Sequence, residues 1–162
     1  MNNSKKKILL VDDDPDVLEI LSYNLSNDGY QTFTANDGLE AVRKSKECSP
    51  HLIIMDVMMP KMDGIEACEI LRNDNEFNST LIMFLTARGE DYSHIAAYEA
   101  GADDYITKPI KPKVFMSKVK SLLRRLDKNE NQEEVITFEN FKIDRESYAV
   151  YFNDEKYLLP RK

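Results

Sequence analysis

The stretch HLIIMDVMMPKMDGIEA, residues 51–67, runs a short apolar segment into one carboxylate, Asp56, and then turns through Val-Met-Met-Pro. A near-continuous Leu/Ile/Met run of this length suits a strand covered on both faces, as in a parallel sheet. Asp56 does not read as a helix cap, because the next helical pattern opens around Asp63-Gly64. An acid at the mouth of a buried strand is then placed for chemistry, and the rest of the chain indicates which.

Two similar runs flank it, KILLV at 7–11 and LIMFL at 81–85, with weaker strand patterns at YQTFTA (30–35) and ADDYIT (102–107). Helical patterns lie between them. The first starts with Pro15 in its opening turn and stops before Gly29; another stops at Gly101. The last, KPKVFMSKVKSLLRRL, puts Phe115, Val119, Leu122 and Leu126 on one face. The order is strand–helix repeated five times over residues 7–126. It predicts βαβ units with right-handed crossovers: an α/β, doubly wound, five-stranded parallel sheet with helices on both faces.

The chain has 162 residues and 42% hydrophobic content, enough for one full domain and a fragment. A net charge of −7 argues against broad adhesion to nucleic acid or membrane by this chain alone. Cys48 and Cys68 lack ligand or redox spacing and read as small hydrophobes in a reduced, cytoplasmic setting. The basic start runs straight through a short apolar segment into acids, unlike a signal peptide or membrane anchor. His51 and His94 belong to no recognisable motif.

Residues 127–134, DKNENQEE, read as a polar linker between a domain at 1–126 and a tail at 135–162. In the tail, Val, Ile, Phe and Tyr recur between turn-like ENF, DRES and NDEK, which predicts a small antiparallel β meander. That tail is too short for a core of its own, and together with the linker, from residue 127 on, it carries more acids than bases.

The expected strands end in polar residues of particular kinds: Asp12, Asp13 and Asp14 after the first, Asp56 at the third, Thr86 at the fourth, Lys108-Pro109 after the fifth. In a doubly wound sheet these ends share one edge, where ligands bind. One capping acid accounts for one aspartate of VDDDP, not three. Crowded carboxylates disfavour one another's ionisation, and a hard divalent cation such as Mg2+ relieves this. Asp13 and Asp56 are expected as direct ligands, Asp12 through water, with the backbone carbonyl of Met58 as a further oxygen. Asp56 then acts as a nucleophile toward phosphorus, and Thr86 and Lys108 hold the phosphoryl oxygens. Singly, Thr86, Lys108 and Tyr105 mean little; their joint placement carries the reading. Met55, Met58, Met59 and Met62 are expected to pack in the core, since no His or Cys accompanies them as soft ligands.

Residues 7–126 resemble the receiver domain of two-component response regulators, of flavodoxin-like fold. The resemblance rests on LLVDDDP, IIMDVMMPKMDG, FLTA and DDYITKPI, in order and over the whole domain. It implies a phosphoacceptor at Asp56, a metal pocket at Asp12 and Asp13, and Thr86 with Tyr105 as a switch pair whose hydroxyl and ring move toward the site. It also implies a cis bond at Lys108–Pro109. Residues 135–162 are similar to the opening sheet of an OmpR/PhoB-type winged-helix effector. The recognition helix is not among these residues, so this chain alone is not expected to read DNA.

The resemblance further implies a histidine kinase or small phosphodonor as partner, DNA only through a complete effector, no membrane, and a homodimer. Asp103, Asp104, Lys118, Lys120 and Arg125 fit the family's charged dimer face. His94 and Val114 stand where that face commonly carries a base and an acid. An exposed pair of this kind is worth at most about 1 kcal/mol, so dimerisation is not expected to fail with it. An apolar Met58 two positions after Asp56, with Arg88 near the site, implies a long-lived phosphate. The rival readings are a phosphohydrolase and a phosphorylation-independent scaffold. The first normally carries an acid at the Met58 position, so no enzyme is expected. Complete retention of the site residues argues against the second.

Overall fold

The structure is a computed structural model. It describes residues 5–87 and 91–132 and strands at 136–138, 141–144, 149–152 and 155–158; for residues 91–94 and those after 127 it describes the backbone. Two compact units divide the chain, Met1–Leu122 and Leu123–Lys162.

In the first unit the strands are β1 (Lys7–Val11), β2 (Gln31–Ala35), β3 (Leu52–Asp56), β4 (Leu81–Thr86) and β5 (Asp104–Thr107). They form one parallel sheet in the order β2-β1-β3-β4-β5. The helices are α1 (Pro15–Asn27), α2 (Gly38–Cys48), α3 (Gly64–Arg72), α4 (Asp91–Ala100) and α5 (Pro112–Gln132). Local chemistry sets their starts. Asp14, Asp37 and Asp63 cap α1, α2 and α3 with side-chain oxygens accepting from backbone N–H groups, and Pro15 occupies the first turn of α1. Gly101, at φ +105, ends α4 in a conformation that a side chain rarely adopts.

Strand alternation divides the core. Leu9, Val11, Ile53, Met55, Ile82 and Phe84 face one side, where Ala41, Ala67, Cys68, Leu71 and Ala97 of α2, α3 and α4 cover them. On the other side Leu18, Leu21 and Leu25 of α1 and Phe115, Val119 and Leu122 of α5 are buried. Lys120 of α5 reaches Asp28, the C-cap of α1, at 3.3 Å. The wholly buried β3 and β4 match their unbroken apolar sequences.

Two boundaries differ from the sequence reading. The units divide at Leu122, inside α5, and α5 continues to Gln132 through most of the expected linker. DKNENQ holds no Gly or Pro, and its Lys, Glu and Gln are good helix formers. In the second unit β6 (Ile136–Phe138), β7 (Phe141–Asp144), β8 (Ala149–Phe152) and β9 (Glu155–Leu158) pair antiparallel in sequence order. No helix among the described residues is long and apolar enough to cross a membrane.

Candidate functional site

The carboxyl ends of β1, β3, β4 and β5 lie along one edge of the sheet, and the sequence-predicted residues meet there. Asp12 follows β1 and is 1% exposed, Asp56 closes β3 at 8%, and Thr86 closes β4 at 0%. Lys108 follows β5, preceding Pro109 through a cis peptide bond. Its ammonium donates to Asp12 Oδ2 at 3.1 Å and to Asp56 Oδ2 at 3.2 Å. One cation is thus shared by two nearly buried carboxylates.

The remaining polar atoms are arranged by the turns. Asp12 Oδ1 accepts the Asp14 N–H at 2.9 Å, and Asp14 in turn caps α1 through the Asp16 N–H. Of the three aspartates, therefore, one caps a helix and two face the site. Asp13 is exposed, yet one carboxylate oxygen from each of Asp12, Asp13 and Asp56 lies within 4.8 Å of the others. Asp56 Oδ1 accepts the Met58 N–H at 3.3 Å. Burial first, and then the Asp12 charge, push the Asp56 carboxyl above the ordinary aspartate range against the pull of Lys108. Burial works against charge on Lys108, but the hydrogen bond to Asp12 and the charge of Asp56 outweigh it and raise the ammonium's pKa. The cluster offers oxygen donors, an excess of negative charge and a single ammonium, a donor set suited to a hard divalent cation.

Two glycines fix the loop after Asp56. A Cβ on Gly64 would sit 2.3 Å from the Asp56 carbonyl oxygen, and one on Gly38 would sit 2.5 Å from that of Met62. The Gly38 N–H donates to the Met62 carbonyl at 3.0 Å, and the Gly64 N–H to that of Val57 at 2.8 Å. The start of α2 and the start of α3 therefore clamp the phosphoacceptor candidate's loop from both sides. Sequence reasoning placed Gly64 in a motif and passed over Gly38. Two glycines at helix starts were the available signal.

Several expectations are redrawn by the side-chain positions. Met55 is buried and Met59 and Met62 pack against the core, but Met58 is 61% exposed, since the turn after β3 carries it out of the sheet. Cys68 is buried, which pushes its thiol up to about 11, and Cys48 is half-buried. Among the expected dimer-face residues, Asp104 is bonded within the chain to Lys118 at 3.3 Å. Asp103 accepts from Arg72 and from the Ile82 N–H, each at 2.9 Å, so its carboxylate is engaged in the fold. Lys120 lies about 200° around the helix from Lys118 and pairs with Asp28. It points away from the side that Lys118 occupies. Arg125 returns to within about 20° of Lys118 and is exposed, as is Val114. Arg88 and the His94 side chain lie outside the described residues.

The same region holds two features that sequence spacing did not reveal. Tyr105 of β5 is half-buried, and its ring meets that of Tyr98 on α4 edge-to-face, with centroids 5.7 Å apart and planes at 80°. Arg72, at the end of α3, donates to the carbonyls of Gly101, Phe77 and Thr80 at 3.0, 2.9 and 2.7 Å as well as to Asp103.

Comparison with known proteins agrees with this arrangement. The model of the response regulator receiver domain family matches residues 8–120. The alkaline phosphatase synthesis transcriptional regulatory protein PhoP of Bacillus subtilis is 40% identical over 97% of this chain and 68% of its own length. The crystal structure of the response regulator DrrB, an OmpR/PhoB homolog from Thermotoga maritima, is similar over 97% of this chain and 68% of that one, at 30% identity and a TM-score of 0.68. A response regulator structure from Chloroflexus aurantiacus covers 75% of this chain and 99% of its own, at 36% identity and a TM-score of 0.72. The chain spans about two thirds of the length of the curated relatives it matches.

Proposed function

The chain belongs to the response regulator receiver domain family, among regulators of the OmpR/PhoB type, and on that premise we propose that it is a phosphorylation switch with Asp56 as the phosphoacceptor. The observation that carries this is the Lys108 ammonium within 3.2 Å of both Asp12 and Asp56 at the carboxyl edge of the sheet. An Asp56 oxygen attacks phosphorus in a histidine kinase's phosphohistidine or a small acyl phosphate. The new P–O bond forms as the donor's P–N or P–O bond breaks, and the donor's imidazole or carboxylate leaves. Lys108 balances charge on the transferred oxygens, and the Thr86 hydroxyl donates to one of them.

Mg2+ would be held by Asp12, Asp13 and Asp56 with the Met58 carbonyl, where it supplies charge neutralisation of the phosphoryl group. The product adds about −1.5 to −2 charges. Thr86 and Tyr105 respond to it, and the face around β5 and α5 changes. Asp104, Lys118 and Arg125 are among the charged residues of that face, which we read as a homodimer surface. In the cytoplasm the dimer would position complete winged-helix effector domains on DNA; residues 135–162 are the start of one. Residues 127–134 join the domains, for the most part as helix. The role is signalling, with no turnover of substrate.

The test is intact mass after incubation with a small acyl phosphate, with and without Mg2+, beside Asp56→Asn. A Mg2+-dependent phosphoryl adduct absent from the variant supports the reading. No adduct on the unaltered chain refutes it.

A further inference from the structure

The Tyr98–Tyr105 contact joins an exposed side chain to the residue proposed to move. Tyr98 is 52% exposed on α4, so its ring is not held by burial. It nonetheless stands edge-to-face with Tyr105 at 5.7 Å, a geometry that aromatic quadrupoles favour beyond the area they bury.

Both rings are mounted on a pinned frame. Tyr98 lies three residues before Gly101, whose N–H donates to the Tyr98 carbonyl at 3.1 Å. The Gly101 carbonyl accepts from Arg72 Nε at 3.0 Å, and the Ala100 carbonyl from Cys68 Sγ at 3.4 Å. A Cβ on Gly101 would lie only 2.8 Å from Arg72 Cγ, so the end of α4 rests directly on that side chain. The same guanidinium grips Asp103, immediately before β5 and two residues before Tyr105. One arginine therefore ties the end of α4 to the start of β5, and so fixes the spacing from which the two rings meet. A ring on a mobile support would follow its partner. A ring on a pinned support stays behind when the partner turns away.

We propose that Tyr98 is a latch, a positioning residue that holds the Tyr105 ring in the place it occupies here and so sets the threshold of the switch. This deepens the function proposed above and rests on it, since it takes Tyr105 to turn inward when Asp56 carries a phosphoryl group. The contact is made with the Tyr105 ring where it stands here, half-buried, and on this reading is lost when that ring turns inward. It therefore opposes phosphoryl binding by its own worth, and a phosphoryl mimic that selects the inward state binds more tightly when the contact is removed. Edge-to-face pairs of this kind correspond to a factor of about two to ten in an equilibrium constant.

The experiment is a calorimetric titration of the full chain with beryllofluoride in Mg2+, a mimic of the acyl phosphate. The variants are Tyr98→Phe, which keeps the ring, and Tyr98→Leu, which keeps an apolar side chain without it. Tyr98→Leu is expected to bind about two- to tenfold more tightly than the unaltered chain, with Tyr98→Phe within twofold of it. In a Tyr105→Ala background, Tyr98→Leu is expected to change nothing further. Unchanged or weakened binding by Tyr98→Leu overturns the latch, as does a gain that persists without Tyr105. A gain that grows with protein concentration overturns it too, by assigning Tyr98 to self-association. The underlying reading fails differently: then the unaltered chain does not bind beryllofluoride, or Asp56→Asn binds it equally well.

Discussion

Gly64→Ala isolates the geometry around Asp56 from general stability. The added Cβ would meet the Asp56 carbonyl oxygen at 2.3 Å and Phe84 Cε1 at 3.0 Å, where ordinary contact begins near 3.4 Å. The first obstacle is backbone and the second a buried ring, so relief requires about 1 Å of movement at the end of β3. Overpacking of this sort costs about 1–3 kcal/mol. Gly64 is the first residue of α3, where alanine otherwise returns about 0.5–1 kcal/mol. The net loss is about 0–2.5 kcal/mol. The effect on chemistry is larger, because a displacement of about 1 Å in a reacting group costs up to about a hundredfold in rate.

Gly29→Ala is the control. Gly29 has φ +91 and no atom within 4 Å of a Cβ, so its substitution strains the backbone by about 1–2 kcal/mol far from the site. Urea unfolding followed by circular dichroism reads the stabilities, and adduct formation from a small acyl phosphate in Mg2+ reads the rates. Similar stability losses with at least a tenfold slower phosphorylation for Gly64→Ala alone are expected. Equal rates in the two variants, or a Gly64→Ala protein as stable and as fast as the unaltered one, would refute the reasoning.

Other perturbations test the electrostatics and the frame. Asp56→Asn removes a carboxyl whose pKa burial and Asp12 raise, so without Mg2+ it should stabilise the fold at pH 7. A raised carboxyl contributes stability below its unfolded pKa that is lost as pH rises through the folded one. The advantage of asparagine should therefore vanish on acidification below the ordinary aspartate range; an advantage that grows in acid would contradict this. Lys108→Met leaves Asp12 and Asp56 without their shared cation and should cost about 1–3 kcal/mol in chelator, partly restored by Mg2+ in the same denaturation assay. A variant more stable than the parent in chelator would sink that account. Arg72→Ala strips donors from three carbonyls and from Asp103, and should cost about 2–4 kcal/mol. Amide hydrogen exchange should quicken at the end of α4, and unchanged exchange there would show that Arg72 does not pin it.

The sheet was legible because its three central strands, β1, β3 and β4, are buried on both faces. KILLV, LIIMD and LIMFLT carry hardly a polar residue before their ends, so each polar end stood out as a site candidate. Helix starts were legible through Asp14-Pro15 and Asp63-Gly64, where the cap chemistry is local. The extent of α5 was not: charge in DKNENQ reads as solvation, while the same residues propagate a helix already begun. Asp12, Asp56, Thr86 and Lys108 could be brought together from topology alone. The partners of Asp103 and Lys120 could not, because Arg72 and Asp28 reach them across the fold from α3 and from the end of α1. Met58 misled because composition cannot say which methionine of four the turn expels. Tyr98 was missed for a similar reason, since a tyrosine on a helix face announces no ring on the neighbouring strand.

The central claim is that Asp56, among the crowded carboxylates of this edge, takes the phosphoryl group. Borohydride reduces an acyl phosphate to an alcohol, which converts a phosphorylated aspartate to homoserine and marks it permanently. Peptide mass mapping after phosphorylation and reduction should find homoserine at position 56 and leave Asp12 and Asp13 as aspartate. Homoserine at either neighbour, or at none of the three in a chain that carries the adduct, would contradict the account.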